Sequence, residues 1–154
     1  MDYNTLILIH IISVVILLGI GGGSAFYKFM ADRSKNLEVI VHTNKMVVLA
    51  DWLFTTPAVI IQPVTGLMLM RVGFSLEDSW LFISICLYAF SIALWLVAVF
   101  LQIKMKQLSS MAYEQKMALD RSYYRLVMWW ITLGVFSFFA MGSMMVLMIF
   151  KFDF

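Results

Sequence analysis

Four long apolar runs dominate the pattern of hydrophobic and polar positions along the chain. Residues 3–27, 79–103 and 126–150 contain no Asp, Glu, Lys or Arg, and residues 46–70 contain only Asp51. Each run is 25 residues long. Because a helix rises about 1.5 Å per residue, a run of this length reaches roughly 37 Å, enough to cross a hydrocarbon core of about 30 Å with some tilt. The pattern therefore predicts four transmembrane helices.

Short polar connections at 28–45, 71–79 and 104–125 join these runs. Consecutive helices with little chain between them must be neighbours, which favours an up-down-up-down bundle. We expect Gly73 to break the helix in the second connection, and we interpret the third connection as helical extensions of spans three and four. The runs lack the alternating polarity of membrane β-strands. The prediction is an all-α membrane protein, with residues 1–154 forming one four-helix domain.

Composition excludes a water-soluble fold and the charges predict an orientation. The chain is 63% hydrophobic and 13% charged, whereas soluble domains are nearer half apolar and a quarter charged. Nine of the 11 basic residues flank the first and third connections: Lys28, Arg33, Lys35, Lys45, Lys104, Lys106, Lys116, Arg121 and Arg125. The positive-inside rule places those connections in the cytoplasm and both termini outside. No basic stripe remains for nucleic acid, and the partner that the sequence predicts is the lipid bilayer.

Counting helical rise from the ends of the spans sorts the polar intramembrane residues into two layers. His10 lies roughly 10 Å below the outer surface by this count. A group of polar or sulfur-containing residues on the other spans falls at similar depth: Gln62, Ser84, Cys86, Ser143 and Met144. Asp51 lies nearer the cytoplasmic side, roughly 20 Å from His10 along the bilayer normal by the same rise. A His–Asp relay between these two layers is excluded.

His10 is the main candidate for chemistry. An imidazole inside a membrane is a common metal or haem ligand and also a proton carrier. The alternative is a packing histidine that hydrogen-bonds Gln62 or a serine. Met144 is the candidate second haem ligand, since thioethers bind haem iron and soft metals, although most Met side chains serve packing. His42 lies at the cytoplasmic start of span two, so one chain cannot form a bis-histidine pair.

Asp51 and the glycine run have structural interpretations. We expect Asp51 to pair with a basic residue at the cytoplasmic helix ends, such as Lys28 or Arg125, because an unpaired carboxylate is costly in lipid. Gly19 and Gly23 form a small-xxx-small spacing, which predicts close helix approach inside the bundle or between protomers.

Span two also carries two prolines, Pro57 and Pro63. Each removes a backbone donor and bends the helix, and the nearby Thr and Gln side chains can satisfy the carbonyls that are freed. Bent helices of this kind often line a cavity, although kinks also serve packing alone.

The early His10 with its glycine cluster, the stretch Asp-Trp-Leu-Phe-Thr-Thr-Pro from Asp51, and Gln-Pro-Val-Thr-Gly from Gln62 resemble a bacterial family of predicted integral membrane proteins, domain-of-unknown-function family 2269. The architecture is more distantly similar to the HemJ-type and CopD-type four-helix membrane proteins. That similarity implies His10 as a haem or metal ligand. The family resemblance implies a bacterial inner membrane, and the orientation predicted from the basic residues then makes both termini periplasmic.

Three functional hypotheses follow from the sequence. The first is a bundle, in oligomeric form, that binds haem b or a soft metal ion at an outer-leaflet site of His10, Met144 and Gln62 in a redox or haem-related role. The second is a cofactor-free accessory or assembly subunit of a larger membrane complex. The third is a copper-linked or proton-linked transporter, which with four spans would need a dimer.

Overall fold

The computed structural model describes residues 2–71, 75 and 77–152, and within these ranges every regular element is helical. Four helical segments are long and apolar enough to span a membrane, as predicted. The elements in chain order are α1 (Tyr3–Ser34), α2 (Leu37–Ala50), a π-helical turn (Asp51–Thr55), α3 (Thr56–Met70), α4 (Ser79–Glu114) and α5 (Arg121–Phe150). The predicted break at Gly73 lies outside the described residues.

The helices extend beyond the apolar runs, so the first connection is much shorter than predicted. After α1, Lys35 takes a left-handed conformation with φ 55°, and the Asn36 side chain accepts hydrogen bonds from the backbone N–H of Glu38 and Val39. This capping stabilises the start of α2. The third connection follows the predicted pattern, since α4 continues to Glu114 and Asp120 caps the start of α5 through the Ser122 N–H.

A π-helical turn interrupts span two immediately before Pro57. The Thr56 N–H bonds to the Asp51 carbonyl, five residues back, and the Thr56 hydroxyl donates to the same oxygen at 2.9 Å. Pro57 has no N–H to continue the ordinary ladder, which accounts for the altered register at this point. The turn leaves the side chains of both Asp51 and Thr55 buried.

Pro63 frees a second carbonyl, and a neighbouring helix satisfies it. The N–H missing at Pro63 would have bonded to the carbonyl of Val59, four residues back. The Tyr88 hydroxyl of α4 donates to that carbonyl at 2.6 Å. The sequence predicted that span two would satisfy its own carbonyls; here a tyrosine of another span does so and ties α3 to α4.

Apolar packing is concentrated in the half of the bundle beside the first and third connections. Its buried cluster consists of Ile40, Val47, Ala98, Met105, Tyr123, Val127 and Trp130. The inward face of α4, in contrast, is polar at Ser84, Ser91, Gln102 and Ser109, which are all buried. Large apolar side chains such as Leu8 and Phe136 lie on the outside. Lipid favours this arrangement, because apolar surface gains nothing by leaving hydrocarbon.

Candidate functional site

His10 contacts α3 through both of its ring nitrogens. Nδ1 lies 2.9 Å from the Thr65 hydroxyl oxygen, and Nε2 lies 3.0 Å from the Gln62 amide nitrogen. Thr65 and Gln62 are buried, whereas His10 is half-buried. The imidazole therefore points into the bundle and not toward the lipid headgroups.

The hydrogen bonds within α3 favour one tautomer of the ring. The single hydroxyl proton of Thr65 is donated within α3, to the carbonyls of Ile61 at 2.8 Å and Gln62 at 3.1 Å. With its proton on one of these carbonyls, Thr65 accepts a hydrogen bond from His10 Nδ1–H. In the neutral ring Nε2 is an acceptor, so the amide N–H of Gln62 donates to it. The same amide has a buried oxygen, Oε1, without a hydrogen-bond partner among the described residues.

Gly66 gives the imidazole its space. A Cβ built at Gly66 would lie 3.3 Å from His10 Cε1 and 3.9 Å from Nδ1. The first distance is tighter than ordinary van der Waals contact, so a side chain there would displace the ring. The fragment Gln-Pro-Val-Thr-Gly thus supplies both hydrogen-bonding partners of His10 and the glycine against which the ring lies.

A cavity of about 380 Å³ adjoins His10; we call it the outer pocket. It is lined by residues of α1, α3, α4 and α5, including Gln62, Ser84, Tyr88 and Met144. Counting by depth had predicted that Gln62, Ser84 and Met144 could meet His10, and the structure brings all three to this pocket. The other two residues of the same depth, Cys86 and Ser143, are exposed on the outside of the bundle.

The ligand geometry that haem requires is not present in this arrangement. An axial histidine must present one imidazole nitrogen to iron, whereas Thr65 and Gln62 engage both nitrogens of His10. Met144 is buried to 1% exposure and lines the same pocket. In the part of the chain that the structure describes, no three His, Cys, Asp or Glu side chains are grouped to hold a metal ion.

The predicted ion pair of Asp51 with Lys28 or Arg125 is wrong. Asp51 Oδ1 accepts a hydrogen bond from Thr55 at 2.8 Å, and the side chain of Gln102 lies beside the same carboxyl. Oδ2 makes no hydrogen bond of ordinary geometry to the described residues. Arg125 is exposed, near Asp120. Lys28 is committed elsewhere, because its ammonium pairs with Asp32 at 3.0 Å.

Lys28 is the centre of a buried polar cluster that sequence reasoning missed. Its ammonium also donates to Asn44 Oδ1 at 2.8 Å and to the Tyr123 hydroxyl at 3.1 Å. Tyr123 donates in turn to Asp32 Oδ1 at 2.7 Å, and the Asn44 amide donates to Tyr123 and to Ser109. Lys28, Asn44, Tyr123 and Ser109 are each at most 3% exposed. This network joins α1, α2, α4 and α5 at the end of the bundle where the first and third connections lie.

The glycine run does not form a close contact within the bundle, and Gly19 and Gly21 are exposed. A Cβ built at Gly19, Gly21 or Gly23 has nothing within 4 Å, and one built at Gly22 lies 3.8 Å from Phe138. The prediction that Gly19 and Gly23 bring helices together inside the bundle is therefore wrong. Their use between protomers stays a prediction. Gly21 and Gly22 instead line a second cavity, of about 440 Å³, which we call the central cavity.

Sequence signals for the missed residues are weak but recognisable. Ser84, Ser91 and Ala98 recur every seven residues on α4, and Gln102 and Ser109 continue this face. Small and polar residues at such spacing mark an interior stripe in a membrane helix. Thr65 lies three residues after Gln62, on the same helical face, which places it beside any partner of Gln62.

Comparisons with known proteins give one match. A family model described as a predicted integral membrane protein of unknown function, DUF2269, matches residues 4–152. No curated protein and no solved structure matches the chain.

Proposed function

The chain belongs to the DUF2269 family of predicted integral membrane proteins, and from this premise we propose that it is a membrane-embedded binding protein in which His10 exchanges protons at the outer pocket. The observation that carries the proposal is the pair of hydrogen bonds that hold the neutral imidazole between Thr65 and Gln62. A proton carrier must keep its partners in both protonation states, and this site has the groups to do so.

Protonation of His10 adds a hydrogen at Nε2, which then has to donate instead of accept. A half-turn of the Gln62 amide replaces its N–H donor with Oε1, the buried oxygen that has no partner among the described residues. The hydrogen bond from Nδ1 to Thr65 is unchanged by this rotation. The buried site thus accommodates an imidazolium ion without leaving Nε2–H unsatisfied, which would otherwise be costly inside a membrane.

The outer pocket supplies the route by which a ligand or water reaches the imidazole. Its volume of about 380 Å³ falls within the range of small-molecule sites. Tyr3 and Lys151 belong to its lining together with apolar side chains of α3 and α4. This composition suits a small amphipathic molecule. The orientation proposed from the positive-inside rule puts the pocket in the periplasmic leaflet of a bacterial inner membrane.

Nuclear magnetic resonance of the imidazole nitrogens tests this proposal. The chain has two histidines, so His42→Gln, at an exposed position, leaves His10 as the one imidazole. We expect the Nδ1–H tautomer at high pH and an imidazolium at low pH, with the Gln62 amide signals changing at the same midpoint. The matched variant Thr65→Val should lose the tautomer preference. An imidazole that never titrates in the folded protein, or a Gln62 amide indifferent to its titration, would refute the proposal.

A cofactor role for the same pocket is the second candidate. The observation that favours it is that His10 and Met144, one nitrogen and one thioether donor, line one cavity. Haem b or a soft metal ion bound there would require Gln62 or Thr65 to release an imidazole nitrogen, and would give the protein redox chemistry. Haem content would separate this role from the proton-exchange role and from that of a cofactor-free accessory subunit.

A further inference from the structure

The central cavity is a second site, separate from His10, with its own unsatisfied polar groups. It is a half-open cleft of about 440 Å³ lined by residues of all four spans. Most of the lining is apolar, and its aromatic side chains are Phe29, Tyr88, Trp95, Trp130, Phe138 and Phe139. Cavities of this size and character hold small organic molecules.

Four residues of the lining each carry a buried polar atom without a hydrogen-bond partner among the described residues. These atoms are Asp51 Oδ2, Ser91 Oγ, Trp95 Nε1 and Gln102 Oε1. Asp51, Ser91 and Gln102 are each at most 6% exposed. Folded proteins leave few such atoms unpaired, and each one calls for an explanation. Their presence on residues that line one cavity points to a polar group of a ligand.

The chemistry of these atoms defines that polar group. The atoms on Asp51 and Gln102 are acceptors, the Ser91 hydroxyl can accept as well, and Trp95 Nε1–H is a donor that an ammonium group leaves unpaired. The Asp51 carboxyl has no basic partner among the described residues, since Lys28 pairs with Asp32. A buried carboxylate is stabilised by a cation in direct contact. Aromatic faces around the site attract cations too.

We propose that the central cavity binds a lipophilic organic cation, with a protonated amine at Asp51 and Gln102 and the hydrocarbon portion along the aromatic lining. The π-helical turn places both Asp51 and Thr55, which are buried, on the lining of the cavity just before α3. The glycines of α1 provide the volume. Gly21 and Gly22 lie on the lining, and no atom approaches within 4 Å of a Cβ at Gly21.

A matched pair of probes tests the charge requirement. Dodecylammonium and dodecanol carry the same alkyl chain and differ in the head group alone. Binding of each is measured by equilibrium dialysis against the full-length protein in phosphatidylcholine nanodiscs, with empty nanodiscs subtracted. We expect saturable binding of one dodecylammonium per chain and affinity for dodecanol weaker by about tenfold or more, as expected for loss of a charged hydrogen bond. Equal affinity for the two probes overturns the proposal.

Two substitutions locate the binding. Asp51→Asn should weaken dodecylammonium binding by about tenfold or more and leave dodecanol binding unchanged. Gly21→Leu should weaken binding, because it adds a side chain on the lining of the cleft. Its control is Gly19→Leu, which adds the same side chain at a glycine with equally open surroundings but outside the lining. Unchanged binding by Gly21→Leu, or equal loss in Gly19→Leu, would show that the probe binds elsewhere. Thermal unfolding of each variant establishes that it is folded. If Asp51→Asn does not fold, the comparison of dodecylammonium binding by Gly21→Leu and Gly19→Leu tests the proposal.

Discussion

Replacement of Lys28 by Met perturbs the buried network at the end of the bundle where the first and third connections lie. The ammonium makes three hydrogen bonds, to Asp32 Oδ2 at 3.0 Å, Asn44 Oδ1 at 2.8 Å and the Tyr123 hydroxyl at 3.1 Å. The side chains of Lys28 and Asp32 are only 2% and 9% exposed. Methionine fills much of the same space but leaves the Asp32 carboxylate without its counterion and with the Tyr123 hydroxyl as its remaining side-chain donor.

The expected cost follows from this geometry. Removing one member of a buried ion pair destabilises a protein by about 3–5 kcal/mol, because the other charge stays buried. Removing both charges, in Lys28→Met with Asp32→Asn, should cost less, roughly 1–3 kcal/mol, since the loss is then one of hydrogen bonds between neutral groups. The second substitution should therefore restore part of the stability that the first removes.

Reversible unfolding in mixed detergent micelles, followed by tryptophan fluorescence, measures these free energies. Arg33→Met serves as the control, because Arg33 is an exposed cation near the end of the same helix. We expect it to change stability by less than about 0.5 kcal/mol. If Lys28→Met costs no more than Arg33→Met, or if the double variant is less stable than Lys28→Met alone, the network does not stabilise the fold as described.

Three further predictions test other contacts. Tyr88→Phe should lower the free energy of unfolding by about 1–3 kcal/mol, because it leaves the Val59 carbonyl, freed by Pro63, unpaired; a thermal unfolding temperature equal to wild type would contradict this. Gly66→Ala should displace the His10 ring by a few tenths of an ångström, and the nitrogen resonances of the imidazole should shift, whereas unchanged resonances would mean that the ring does not lie against Gly66. With Cys86 replaced by Ala, a membrane-impermeant thiol reagent should label a cysteine at Gln115 from the cytoplasmic side alone, and labelling from outside in intact cells would reverse the proposed orientation.

The sequence predicts the spans and the depth of the outer-layer residues because both depend on helical rise alone. Uncharged runs must cross the bilayer, and counting along them put Gln62 and Met144 level with His10. The structure then brings these residues to one pocket. The side of the helix on which a residue lies is harder to predict. Ser143, at the same depth as His10, faces outward.

Two features could not be predicted, for physical reasons that the residues make clear. Lys28 looked like a topology charge at a helix end; its burial depends on Tyr123, a residue 95 positions away that supplies a hydroxyl. The glycine run was interpreted as a contact because small residues permit close approach, but they equally permit a void. The choice depends on what the opposing helix places there, and Phe138 of α5 approaches Gly22 but not Gly19, Gly21 or Gly23.

The engagement of both His10 nitrogens is the claim on which the account of the outer pocket depends. An absorption spectrum of the purified protein, oxidised and reduced, tests it most directly when combined with metal analysis of the same sample. Because Thr65 and Gln62 hold the ring, the account predicts no Soret band in either state and no stoichiometric iron or copper. A Soret band or bound metal in the wild type that is lost in His10→Ala and retained in His42→Ala would contradict it, and would establish His10 as a cofactor ligand.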